Sequence, residues 1–218
     1  VAASIGLPLS CVLLIRHLMH LISAPIGLNL RYARSVARSK EFDPDIALDR
    51  AMGRFWAAGY EGTSTQELMA VMRVGKRSMY DTFGNKRALY LRALDEYVRR
   101  AELVHQTVLD ADGPVADRIE SLLCSGLRLA DATPPGCFAV NAGTDLGGDP
   151  DVRAIVDGHF ERSTDRIAAV LRQAAGAQAA ALAPLVHTAW IGLRARSAAG
   201  LSEDGQQAVI RQIAALVS

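Results

Sequence analysis

The stretch that most constrains this chain is residues 63–86, TSTQELMAVMRVGKRSMYDTFGNK, which reads as two short helices joined by a tight turn. Thr63 and Ser64 are both N-cap residue types, and Glu67 stands three positions after Ser64, the spacing of a capping box. Leu68, Val71 and Met72 supply an apolar helical face, and Val74-Gly75 makes the turn. Lys76-Arg77-Ser78 then opens a second helix whose expected inward side is Met79, Tyr80 and Phe83. A helix-turn-helix lays the start of its second helix in the DNA major groove, where long cations and small hydroxyls reach base edges and phosphates. On its own, the pattern is equally compatible with a helical hairpin that has a solvated charged face.

The flanking residues narrow the choice. From about residue 40 to residue 97 the chain resembles the DNA-binding domain of the TetR family of transcriptional regulators. The resemblance rests on Phe55 followed by Gly59-Tyr60, then Thr63-Ser64, then Tyr80-Asp81-Thr82-Phe83, and finally Asn85-Lys86 and Leu89, all in fixed order. It implies an all-α protein with an N-terminal three-helix helix-turn-helix domain and a helical ligand-binding and dimerisation domain behind it. The implied partners are double-stranded operator DNA, a small-molecule effector and a second copy of the chain, with no cofactor. Lys76, Arg77, Ser78 and Thr82 are expected to face the groove. Thr63, Ser64, Tyr80 and Lys86 sit at or beside positions that contact phosphate in such proteins. One departure stands out: Arg73 occupies a turn position where Gly is usual. The turn is therefore either differently shaped or carries the cost of a non-Gly residue at positive φ.

Charge supports a front half that meets nucleic acid. Residues 1–35 carry Arg16, Arg31 and Arg34 and no acid, residues 36–100 carry 12 basic and 9 acidic side chains, and residues 101–218 carry 9 basic and 14 acidic. The sign therefore reverses along a chain whose overall charge is only +1. Half of the residues are hydrophobic, and Ala-rich and Leu-rich stretches favour helices over strands. Cys11, Cys124 and Cys137 are odd in number and far apart, which suits a reducing cytoplasm and neither a disulfide framework nor a zinc site.

Three segments are expected: an extension over 1–39, the DNA-binding domain over 40–88, and the effector and dimerisation domain over 89–218. The first 35 residues are apolar, but Arg16, Pro8 and Pro25 interrupt them, so no run reaches the ~20 residues of a membrane span. Val36 begins VARSKEFDPDIAL, which resembles the usual start of such regulators, and a GTG start codon would be read as Val; the preceding residues are expected to lie upstream of the true start. If present, Arg31, Arg34, Arg38 and Lys40 form either a basic arm for DNA or a solvated tail.

Further helices are expected from Pro44 to about Ala58, over 86–109, from Val115 through Leu127 and Leu129, over 137–146, from Asp149 to about Ala175, and over 182–199 and 203–217. A break is expected at Thr133-Pro134-Pro135-Gly136. On the last two helices, Ala189, Trp190 and Leu193 with Val209, Ile213 and Leu216 form stripes that either pair two copies or close the core of one.

A Cys-dependent enzyme, with Cys137 as nucleophile and His105 or His159 as base, rests on residue type alone, and no hydrolase, zincin or phosphate-loop motif accompanies it. The chain is expected not to be an enzyme. Cys137 remains either a packing residue or a thiol sensor at a helix start. The protein is expected to act as a repressor that a small, mainly apolar effector releases from DNA. The effector's polar contacts are expected among Tyr97, His105, Cys137, Asn141 and Asp145.

Overall fold

The computed structural model describes residues 42–127, 134 and 136–217. The expectations for residues 1–39, for the basic residues Arg31, Arg34, Arg38 and Lys40, and for Leu129 and Thr133 lie outside that set. Among the described residues there are nine α-helices and no strand. They are α1 (Pro44–Ala58), α2 (Thr65–Met72), α3 (Lys76–Phe83), α4 (Lys86–Leu109), α5 (Val115–Ser125), α6 (Phe138–Asp145), α7 (Pro150–Ala175), α8 (Ala179–Ala198) and α9 (Glu203–Leu216). A 3₁₀ turn, Gly176–Gln178, leads into α8. No helix among the described residues is long and apolar enough to cross a membrane.

Local chemistry explains most of the boundaries. Asp43 caps α1 by accepting from the Asp45 amide at 2.8 Å, with Pro44 at the first helical position. Asp149 and Pro150 repeat the device at α7, where the Asp151 amide donates at 2.9 Å. Gly59 ends α1 at φ 72°, and a Cβ there would lie 2.5 Å from Asp145 Oδ2. Glycine is therefore required at that corner both by backbone conformation and by the close approach of α6.

Two apolar cores divide the chain, and they meet along α4. The front core joins Phe55, Trp56, Leu68, Met79 and Phe83 to Tyr90 and Tyr97 of α4, and also to Phe138 of α6 and Val152 of α7. The rear core gathers Val104, Leu109, Leu122, Ile167, Trp190 and Ile210 from α4, α5, α7, α8 and α9. The change-over falls between Val98 and Val104, inside α4, rather than at residue 88. At 24 residues, α4 is about 36 Å long, enough to run through both cores.

On the last two helices, the structure selects between the two alternatives for the apolar stripes. Trp190 and Leu193 are 2% exposed and Ile213 is 9% exposed, so they fill the protomer's own core. The Trp190 indole N–H donates to Ser125 Oγ at 3.1 Å. The large apolar side chains left outside are Leu185 on α8 and Leu216 on α9. Helix α8 also starts earlier than expected, at Ala179, which places Pro184 inside it on the exposed side.

Candidate nucleic-acid interface and rear-domain cavity

The turn between α2 and α3 keeps the left-handed form despite its arginine. Arg73 has φ 58° and ψ 46°, the one positive-φ residue other than glycine among those described. Of the two alternatives the sequence leaves, the structure has the strained one. Val74 N–H reaches back to Met69 O at 3.1 Å, and Arg50 Nη1 donates to Met72 O at 3.3 Å, so the end of α2 is held from two sides. At its start, Ser64 Oγ accepts from Glu67 N at 3.1 Å while Ser64 N donates to Glu67 Oε2 at 2.8 Å. That amide, and then Arg54 at 2.8 Å, hold the Glu67 carboxyl down to about 2.

Helix α3 is fixed by Met79 and Phe83 in the core, and this choice of inward residues sets what faces out. Lys76 and Arg77 are exposed and Ser78 and Thr82 are half-buried. Arg77 has 95% of its side chain in solvent, with a loose i,i+4 approach of 3.5 Å to Asp81. Tyr80 is 41% exposed rather than inward, so it belongs with the surface set. Val71 of α2 is likewise outside the core, at 36%. Lys86 begins α4 with its ammonium 4.1 Å from the centre of the Tyr60 ring, which pins a cation beside the end of α3.

Thr63 departs from its expected role. It is fully buried, and its hydroxyl donates to Gly59 O at 2.8 Å, so it ties the α1–α2 corner together instead of facing a phosphate. Ser64 is exposed, although its oxygen already serves the cap.

Behind this surface lies a cavity of about 610 Å³ between α4, α5 and α7. Its floor includes Leu109 and Val170, and its polar lining includes His105, Arg118, Ser163 and Arg166. Of the five residues expected to contact an effector, only His105 lines it. Tyr97 and Cys137 come together elsewhere, in the front core: the Tyr97 hydroxyl donates to Cys137 Sγ at 3.3 Å and accepts from Arg194 at 3.3 Å. Burial pushes the Tyr97 hydroxyl far above its usual range. Asn141 is half-buried and Asp145 exposed, both on α6, with Asp145 against Gly59.

The cavity residues that sequence reasoning missed are mostly on α7. Ser163, Arg166, Val170 and Gln173 recur at helical spacing and share one face. Charged and polar residues occur all around α7, so its sequence carries no signal that singles out this face. Three histidines also cluster in the interior. The His105 and His159 rings are 6.0 Å apart, and His187 stacks 6.0 Å from Trp190. Burial holds all three below the usual histidine value, His105 well below it and His187 at about 4. Among the described residues no group of three or more His, Cys, Asp or Glu could hold a metal ion.

Comparison with known proteins agrees with the geometry of the front half. Residues 47–93 match the profile of the tetR family of bacterial regulatory proteins. The HTH-type transcriptional regulator YezE of Bacillus subtilis is 32% identical over 135 residues, covering 61% of this chain and 68% of that one. The HTH-type transcriptional repressor ComR of Escherichia coli is 34% identical over 121 residues, 53% of this chain and 57% of that one. A solved structure of a cysteine mutant of the TetR family regulator CifR, complexed with 26-bp double-strand operator DNA, superposes with a TM-score of 0.71. It is 27% identical and covers 82% of this chain and 98% of that one.

Proposed function

Because this chain belongs to the tetR family of bacterial regulatory proteins and is a DNA-binding transcriptional regulator, we propose that it is a homodimeric repressor released from a palindromic operator by a small molecule. The observation that carries the DNA-reading part is the split of α3, with Met79 and Phe83 anchored inward and Lys76, Arg77 and Tyr80 outward. Lys76, Arg77, Ser78 and Thr82 reach base edges, while Tyr80, Lys86 and the amides at the start of α4 hold phosphate. Two copies pair through the outward faces of α8 and α9, where Leu185 and Leu216 are exposed, and the two-fold axis matches a two-fold operator.

The effector, with a mainly apolar body, occupies the cavity between α4, α5 and α7. Both walls lead back to the reading head: α4 begins beside α3, and α7 is capped by Asp149, which is ion-paired to Arg87 of α4. An effector that favours one spacing of α4 and α7 and an operator that favours another weaken each other by the same factor.

The test is titration of the full chain with its own promoter region and with a random duplex at moderate salt. Specific binding to the promoter region, falling steeply with salt, is expected. Equal affinity for both duplexes overturns the reading. A thiol switch through Cys137 is disfavoured by its 4% exposure and by the hydrogen bond it takes from Tyr97. Operator binding is expected to survive stoichiometric alkylation of accessible thiols.

A further inference from the structure

The rear cavity contains a buried cation that the protein itself leaves without a counter-charge. Arg118 is 9% exposed, and its guanidinium donates to Leu109 O at 3.0 Å and to Gln173 Oε1. Both partners are neutral. Its Nε has no partner, and no carboxylate among the described residues lies within ion-pair distance of it. The other two arginines of the cavity are already matched at the rim: Arg162 with Glu102 at 2.7 Å and Arg166 with Asp110 at 3.1 Å. Asp165, the remaining acid of the lining, is exposed. Formal charge around the cavity therefore balances, but its acids are bound to arginines or face solvent, and Arg118 is the cation inside.

At the other end of the same cavity sit two further unsatisfied polar groups. Ser163 Oγ and both ring nitrogens of His105 have no hydrogen-bond partner, and these residues are 3% and 1% exposed. Leaving buried polar atoms unpaired costs on the order of 1–3 kcal/mol each, more for a charge, so four such atoms, on three residues at one cavity, call for a ligand or solvent that completes them. Between the ends lie the apolar Leu109, Ala169 and Val170, with Arg166 held at the rim by Asp110. Ser163 and Gln173 stand ten residues apart on α7, about 15 Å along the axis at 1.5 Å per residue, while His105 precedes Leu109 by one turn of α4, so the two ends are spanned by a chain of at most roughly ten carbons.

We infer that the cavity takes a small organic carboxylate with an apolar middle and a hydrogen-bonding group at its far end. The carboxylate meets Arg118, and the far group meets Ser163 and His105. This rests on the reading of the cavity as the effector site and names the effector's class. It also narrows the expectation of a mainly apolar effector: the ligand's body is apolar and its anchor is an anion. The neutral imidazole expected of His105 suits an uncharged far group, to which it can donate or from which it can accept.

The experiment is calorimetric titration of the full chain with 10-hydroxydecanoate, with decanoate, and with 1,10-decanediol, in which a neutral hydroxyl replaces the carboxylate. The hydroxy acid is expected to bind at least tenfold more tightly than the diol. Arg118→Gln should bring the acid down to the diol's affinity, and Ser163→Ala should weaken the hydroxy acid but not decanoate. Should Arg118→Gln not fold, the acid–diol comparison on the unaltered protein and Ser163→Ala still decide. A diol that binds as well as the acid, an acid indifferent to Arg118→Gln, or no binding by any of the three overturns the inference. Operator affinity measured in parallel separates this from the regulatory reading. Arg118-dependent binding that leaves DNA affinity unchanged upholds the site and removes the switch. Release of operator by the diol, independent of Arg118, upholds the switch and overturns the anion.

Discussion

Asp149 caps the first turn of α7 and at the same time receives both arms of Arg87, two residues into the α4 region that begins at Asn85. Arg87 Nε and Nη2 each lie 2.8 Å from one of its oxygens, and Nη2 also reaches Asp151 at 2.6 Å. One carboxylate thus joins the helix that follows α3 to the helix that walls the cavity. The arginine draws the Asp149 carboxyl below its usual range. Replacing Asp149 by Ala is expected to lower stability by about 1 kcal/mol through the lost cap, whereas Asn keeps most of the cap and loses the charge pairing. Denaturant midpoints of the two variants, set against the effector's influence on operator affinity in each, separate the cap from the link. Asn should be near wild type in the first measurement and diminished in the second.

The left-handed Arg73 sets a second expectation. A side chain there costs roughly 1–2 kcal/mol relative to a residue without Cβ, part of which Gly gives back through the freedom of the unfolded chain. Arg73→Gly should therefore raise the urea midpoint, by up to about 1 kcal/mol in stability. An Ala at the same position keeps the Cβ and should not. A gain with Ala as large as that with Gly would place the effect in the arginine's charge rather than in the backbone.

On the DNA surface, two basic residues are expected to fail in different ways. Arg77→Ala should weaken operator binding by about 1–3 kcal/mol and relax one operator position. Lys86→Ala should weaken binding to every sequence alike and reduce the salt slope by about one unit. Binding measured over a series of salt concentrations and single-base operator variants distinguishes the two.

The buried histidines predict an acid-labile rear core. Below pH 6.5 the unfolded chain takes up protons that His105, His159 and His187 refuse while folded, so the unfolded state gains relative to the native one. Stability should fall as pH drops from 6.5 toward 4, by about 1.4 kcal/mol per pH unit for each histidine that stays neutral. His159 offsets part of this through Glu102, 3.6 Å from its Nδ1. Urea midpoints at pH 7 and pH 5 check the slope, and His187→Asn should flatten it.

What the sequence discloses and what it hides divide along physical lines. Asp43-Pro44, the Ser64 and Glu67 box and Asn85 act within three residues, so α1, α2 and α4 are legible from local order alone. Arg87 and Asp149 are 62 residues apart, and nothing in either neighbourhood points to the other. Helix α8 is apolar on nearly every side, so periodicity gives it no direction, and Trp190 turned to the protomer's own core instead of a partner. Thr63 illustrates a different limit. Its residue type suits a phosphate contact, a cap and a buried tie equally, and the close approach of Gly59 O selects the last. Arg118 looks from its neighbours like any solvated basic residue of an amphipathic helix, and only the packing of α5 against α4 and α7 encloses it.

The aromatic packing in the front core has a consequence for how the molecule may be divided. Tyr90 meets Phe55 edge-on at 5.0 Å on one side and Phe138 at 5.6 Å on the other, and Trp56 lies 5.0 Å from Tyr97. Those rings belong to α1, α4 and α6, so the tip of the rear half is part of the front half's own interior. A fragment severed after residue 88 would expose Phe55 and Trp56 where three rings had covered them. The reading head is therefore not a detachable module that the rear half merely carries. Its interior is completed by α6, so a shift of α6 relative to α4 is felt beneath α1 without any messenger between them.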